Sequence, residues 1–290
     1  MGRFSGPLLV LIAAVAWSTA GLFTRVVSTD IPTTLFWRSL SGGICVFIIY
    51  HLLKRDRSLT ESIRFSLGEV VTAVLSTFGM IFFIAAFFYT KIANVSFIYG
   101  AMPLITCVLA YFAIGTAITW LGFGASLLSA IGVAFMIWGA SDLSDYVGLA
   151  LAFGMTLFMA ALTISAKYFP GCDMIKTSYL SAFLGALVML PFVTFHNTIS
   201  QDYLWLCLYG IVNVGLGFGL YLIGVSRTTA LTAALLSLSE VPLAPIWAWL
   251  LFDERLGVET ALGGTLIVVA AVMYIAFDKK NSESPAREPA

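Results

Sequence analysis

Hydrophobic residues dominate this chain in runs of about 20, and short polar breaks divide the runs from one another. A run of that length, wound as a helix, crosses a hydrocarbon core of about 30 Å. The pattern predicts helices over 8–27, 33–53, 68–90, 94–114, 119–138, 147–168, 174–195, 203–225, 230–251 and 258–277. The expected fold class is all-α, a polytopic membrane protein of ten transmembrane helices. The first run, Leu8 to Val27, resembles a signal peptide in outline, with Ser18-Thr19-Ala20 as a cleavage site. It is longer than a signal core, and nine further spans depend on its orientation, so it reads as a retained helix.

A second pattern lies over the first, because the two halves repeat at an offset of 139 residues. Ala93 to Pro103 falls on Thr232 to Pro242, and the next segment keeps the register: Gly124 on Gly263, Leu127 on Leu266, Val133 on Val272, Phe135 on Tyr274. The expected units are residues 1–140 and 141–280, with a polar, disordered tail over 281–290. Five spans per unit is an odd number, so the second unit enters the bilayer from the opposite side. Two units of opposite topology, each with a broken helix, point to a secondary transporter.

Charge then orients the chain. With the amino terminus inside, cytoplasmic segments carry Arg3, Lys54, Arg55, Arg57, Arg64, Lys167, Lys176, Arg227, Lys279, Lys280 and Arg287, against Arg25, Lys91 and Arg255 outside. This positive-inside bias predicts cytoplasmic termini. Only 10% of residues are charged and 60% are hydrophobic, where a soluble domain carries about 25% charged residues. No loop has room for a nucleotide-binding domain and no Gly-rich phosphate loop occurs, so ATP hydrolysis by this chain is excluded. Cys45, Cys107, Cys172 and Cys207 show no metal or redox spacing and are expected as free thiols. His51 and His196 are isolated, no catalytic constellation appears, and no cofactor is implied.

Ionisable groups inside the spans are costly and therefore informative. Glu240 lies about ten residues into the ninth run, roughly 15 Å deep at 1.5 Å per residue. Pro242 and Pro245 follow it and remove the amides that would reach the carbonyls of Leu238 and Val241. A carboxyl beside a broken backbone suits a substrate or proton-coupling site; it also suits a hydrogen bond between helices. Pro103 breaks the fourth run at similar depth, behind Ser96, Gly100 and Tyr99, whose hydroxyl needs a partner or a wet cavity. Arg38 either snorkels to the outer interface or attracts a carboxylate. Trp17 stands among small residues and fits tight packing or a cavity wall. Asn213 is polar near mid-depth of the eighth run, beside Gly215, Gly217 and Gly219, which read as a close helix contact. Ser237 and the Phe-rich third run, with Phe78 and Phe82 foremost, complete the candidate substrate-binding set. Trp120, Trp138 and Trp205 sit at run ends as interfacial belt residues.

The fivefold-span repeat, and the ending Trp249-Leu250-Leu251-Phe252-Asp253-Glu254-Arg255-Leu256-Gly257 followed by Gly263-Gly264, resemble the drug/metabolite transporter superfamily in its EamA branch. The first half departs from that pattern, because Gly115-Thr116-Ala117 has no acid where Asp253-Glu254 would correspond. Within the superfamily the chain is most similar to the YddG-type amino-acid exporters of bacterial inner membranes. The resemblance implies a multi-pass inner-membrane carrier that exports aromatic and related amino acids. Its expected partners are a small-molecule substrate and membrane lipid, with no nucleic acid, as a monomer or homodimer. Drugs or quaternary cations are the alternative cargo, with Glu240 as counter-charge.

Overall fold

The computed structural model describes residues 5–53, 63–89, 95, 98–136, 146–194, 200–252 and 258–283. Its elements, in chain order, are α1 (Gly6–Ser18), α2 (Ala20–Val26), α3 (Ile31–Leu53), α4 (Leu67–Tyr89), α5 (Met102–Ile114), α6 (Trp120–Met136), α7 (Tyr146–Tyr168) and α8 (Met174–Met189). Then follow α9 (Ser200–Tyr209), a π-helical segment (Gly210–Phe218), α10 (Gly219–Ser226), α11 (Ala230–Ser237), α12 (Glu240–Phe252) and α13 (Val258–Glu283). No strand occurs among the described residues. Seven helical stretches, some with a local break, are long and apolar enough to cross a membrane: 6–23, 31–52, 67–86, 146–168, 174–192, 201–226 and 230–251. Residues 102–114, 120–135 and 261–277 form shorter apolar helices. Among the described residues each run expected from the sequence contains helix, and three of these apolar helices are shorter than a full span.

Local chemistry sets the helix ends. Pro7 lies in the first turn of α1, where the missing amide costs nothing. Asp173 caps α8, accepting from the amides of Ile175 at 3.2 Å and Lys176 at 3.4 Å. Gly115, at φ 68°, ends α5 in the left-handed conformation that side chains disfavour. The first apolar run is interrupted at Thr19, where the Ser18 and Thr19 hydroxyls donate to the carbonyls of Val15 and Ala16 at 2.7 and 2.6 Å. Such back-bonds compete with the helical ladder and bend it. At its far end α13 continues to Glu283, so residues 281–283 are helical and do not begin the tail.

Three tight packing partnerships organise the bundle: α4 against α7, α6 against α13, and α3 against α8. Each joins a helix before residue 140 to one after residue 145. The two sequence units are therefore interleaved in space. A hinge between them would have to part all three pairs. Two packed groups face each other as walls: α4 with α7 on one side, and α1 with the π segment and α10 on the other.

Candidate functional site

Both proline-containing runs break at matched places. One turn occupies residues 100–101, before α5; the other occupies 238–239, before α12, within one residue of the repeat spacing. Pro103 thus sits in the first turn of α5, and Pro242 in the first turn of α12, each just past its break. The carbonyl that Pro242 was expected to leave free is filled. The Val241 amide donates to Leu238 at 3.0 Å, tightening the chain to an i−3 bond. Leu238 itself is fully buried. Pro245 lies within α12; its side chain, like those of Phe87 and Phe88, lies outside the described set, as do Asn94, Ser96 and the 253–257 motif.

Between the two walls is a cavity with about 30 Å³ open to the centre of a water molecule, space for about two waters. One side is polar and brings together five of the expected residues: Trp17, Arg38, Tyr99, Asn213 and Glu240. The other is apolar and soft, made of Gly79, Met80 and Phe83 from α4 with Met155 and Met159 from α7; Phe218 closes the ring. Arg38 is 1% exposed, so it does not snorkel to the interface. Its Nη1 donates to the Tyr209 hydroxyl at 3.1 Å, with the guanidinium carbon 4.9 Å from that ring's centre. Its Nε has no partner among the described residues. Glu240 opens α12 and lies within hydrogen-bonding reach of the Tyr99 hydroxyl, which also reaches Ser237. Ser237 lies just outside the cavity lining; its hydroxyl donates to the Ala234 carbonyl at 2.9 Å.

The Trp17 and Asn213 side chains each bond to backbone across the α1–π-segment contact. The indole Nε1 donates to the Asn213 carbonyl at 3.0 Å, and the Asn213 amide donates to the Ala16 carbonyl at 2.9 Å. Rings of Phe218 and Tyr221 lie 4.9 Å from the indole. Of the three glycines beside Asn213 only Gly217 marks a close helix contact, because a Cβ there would overlap the indole; Gly215 and Gly219 have ordinary clearance, while Gly210, earlier in the run, is crowded by Ser41. The segment is not the regular apolar helix expected, because residues 210–218 wind as a π-helix. Widened turns of that kind are uncommon and recur at functional sites.

Two expected residues stand elsewhere. Phe78 is 42% exposed and stacks on Phe158 at 5.7 Å; Phe82 packs on the same ring at 5.3 Å, against Gly154. They share one face of α4, and the cavity takes the neighbouring face through Gly79, Met80 and Phe83. That face differs by one residue, a rotation of about 100°. The sequence reading also passed over Met155 and Met159, whose i, i+4 spacing puts two thioethers on one helix face. All four cysteines are free thiols.

A helical bundle of membrane-spanning length around a small cavity, polar on one side and apolar on the other, at two helix breaks fits a multi-pass membrane transport protein. The EamA-like transporter family matches the chain twice, over residues 4–138 and 146–276, and the chain belongs to that family. It is 29% identical to an uncharacterized transporter of Synechocystis sp., over 92% of this chain and 86% of the other. It is 23% identical to the S-adenosylmethionine uptake transporter of Rickettsia prowazekii, over 98% and 96% of the two chains. A solved crystal structure at 19% identity superposes with a TM-score of 0.80 over 96% of this chain and 99% of its own, which establishes the shared fold.

Proposed function

We propose that the chain is a secondary transporter that exports small zwitterions, foremost aromatic and other amino acids, from the bacterial cytoplasm by alternating access and without ATP. In this reading it has ten spans, arranged as inverted units over residues 1–140 and 141–280, with both termini in the cytoplasm. The double match to one family supports two related units. The observation that carries the substrate class is that one buried cation and one carboxyl line the same cavity without an ion pair between them among the described residues. Arg38 would take the carboxylate through its guanidinium edge, as planar guanidinium does well. Glu240, steadied by Tyr99, would take the ammonium. Trp17, Phe83 and the methionines would hold the side chain. S-adenosylmethionine, the solute named for one relative, also carries an α-amino-carboxylate end.

The cavity as it stands admits about two waters, so an amino acid enters only when the walls part. In this reading α4 and α7, which pack closely, move as one body, and α1 with the π segment and α10 as the other; their close packing supports that division. Growth of cells under toxic amino-acid analogues, with and without expression, tests the reading. Resistance to aromatic analogues and faster efflux from loaded cells are expected; unchanged sensitivity to every analogue would remove amino acids as cargo.

The second reading, drugs or quaternary cations, draws support from the methionine wall, since thioether side chains adapt to varied apolar shapes. A cation would sit against Glu240 and the faces of Trp17 or Tyr99. Arg38 separates the two readings. Its loss should abolish carboxylate-dependent transport and leave drug resistance intact if cations are the cargo. Proton coupling through Glu240 is tested by comparing transport down a substrate gradient with and without an imposed proton gradient. Equal rates, unchanged in Glu240→Gln, would exclude it.

A further inference from the structure

A second cavity of about 580 Å³ opens at the end of the bundle where α1 begins and α7 ends. Pro7, Lys167, Arg227, Thr229 and Thr232 are among its lining. The same two helices that line the central cavity lead to it. On α7, Met159 faces the central cavity and Lys167 the outer one, with Thr163 midway on the same face at i+4 and i−4. On the opposite wall, Phe218 lines the central cavity, Tyr221 follows one turn later, and Ser226 and Arg227 line the outer one. Between the cavities the Tyr221 hydroxyl and Thr163 Oγ1 meet at 2.6 Å, both side chains fully buried. The Thr163 proton is given to the Met159 carbonyl at 2.8 Å, so Tyr221 donates and Thr163 accepts.

We infer that the Thr163–Tyr221 hydrogen bond is the gate between the central cavity and the outer one, and that it breaks each time a solute passes. The inference rests on the transport reading above. Three features set this contact apart from an ordinary core hydrogen bond. It joins the two walls that must part, α7 and α10. It stands about one helical turn, roughly 6 Å along α7, from the lining residue of each cavity, Met159 on one side and Lys167 on the other. The Tyr221 ring also lies 4.9 Å from the Trp17 indole, so a solute that displaces Trp17 pushes directly on the gate. Lys167 and Arg227 give the outer cavity a basic rim, suited to an incoming carboxylate.

The test places one reporter, Met159→Cys, in a background with the four native cysteines replaced, and applies a membrane-impermeant thiol reagent to vesicles of known orientation. Tyr221→Phe keeps the ring against Trp17 and removes only the donor. It should speed labelling at least about fivefold from the face carrying Lys167 and leave the opposite face unchanged. Thr163→Val should act in the same direction and add nothing to Tyr221→Phe, whereas Thr163→Ser, which keeps the acceptor, should label as the parent does. An unchanged rate in both Tyr221→Phe and Thr163→Val, or an equal rise from both faces, overturns the gate. If the reporter labels, and an aromatic amino acid slows it, but neither variant moves the rate, the gate falls and transport stands. A reporter silent from both faces in every variant removes the transport reading, and the gate with it.

Discussion

At the end of α4, Glu69 and Lys176 answer each other completely. Their side chains lie 3.4 Å apart, both about 6% exposed. Glu69 also accepts from the amides of Ser66 at 2.8 Å and Asp173 at 3.0 Å, and the Lys176 ammonium donates to the Arg64 carbonyl. In the central cavity Arg38 is buried and Glu240 half-buried, and they make no ion pair with each other among the described residues; Arg38 keeps an Nε without a partner among them. Burying a charge costs several kcal/mol unless protein groups replace its water. The first pair meets that cost within the fold and acts as a rivet between α4 and α8. The second leaves hydrogen-bonding capacity unused beside a cavity, and a zwitterion's carboxylate would be a partner for it. Burial alone does not distinguish a rivet from a binding site. Unused capacity beside a cavity does.

The comparison can be broken most sharply by exchanging the outcomes of substitution at the two places. Lys176→Met strands a buried carboxylate and should cost about 3–5 kcal/mol of stability, read as a fall in melting temperature, with substrate preference unaltered. Arg38→Met should do the converse: near-normal melting, and amino-acid transport lowered about 10–100-fold, the value of a hydrogen-bonded charge. If Lys176→Met altered substrate preference and Arg38→Met unfolded the protein, the distinction would be reversed. A smaller loss is expected from Gly217→Ala, because its Cβ overlaps the indole and breaks the Trp17–Asn213 hydrogen bond. Transport measured in vesicles should fall about tenfold, in line with roughly 1–2 kcal/mol of lost hydrogen bonding. Tyr99→Phe, which leaves the Glu240 carboxyl without that partner, should lower transport about fivefold, near 1 kcal/mol. Met155→Leu conserves volume and should change rates less than about threefold while altering the ranking of substrate side chains, seen in competition assays.

Much of this arrangement was legible from residue order. Helices followed from apolar runs because the bilayer demands satisfied backbones, and Trp17, Arg38, Tyr99, Asn213 and Glu240 stood out because polar or bulky groups at depth are costly. What escaped depends on geometry finer than composition. Phe78 and Phe82 lie one residue around α4 from the face that lines the cavity, and a uniformly apolar helix carries no pattern that selects between faces. The π turns at 210–218 have no signal in the apolar pattern, and Gly210 and Gly217 sit there where Ser41 and Trp17 approach closely. The fate of the Leu238 carbonyl was decided by a single amide, that of Val241, choosing an i−3 bond.

The most direct test of the central claim is binding by purified protein, measured by calorimetry, for one aromatic amino acid and for the matching amine that lacks the carboxylate. The account predicts that the parent protein binds the amino acid more tightly, by about 10–100-fold, and that Arg38→Met erases this preference while leaving the amine's affinity unchanged. Equal affinity for the two ligands in the parent protein, untouched by Arg38→Met, would contradict it and make Arg38 a structural residue.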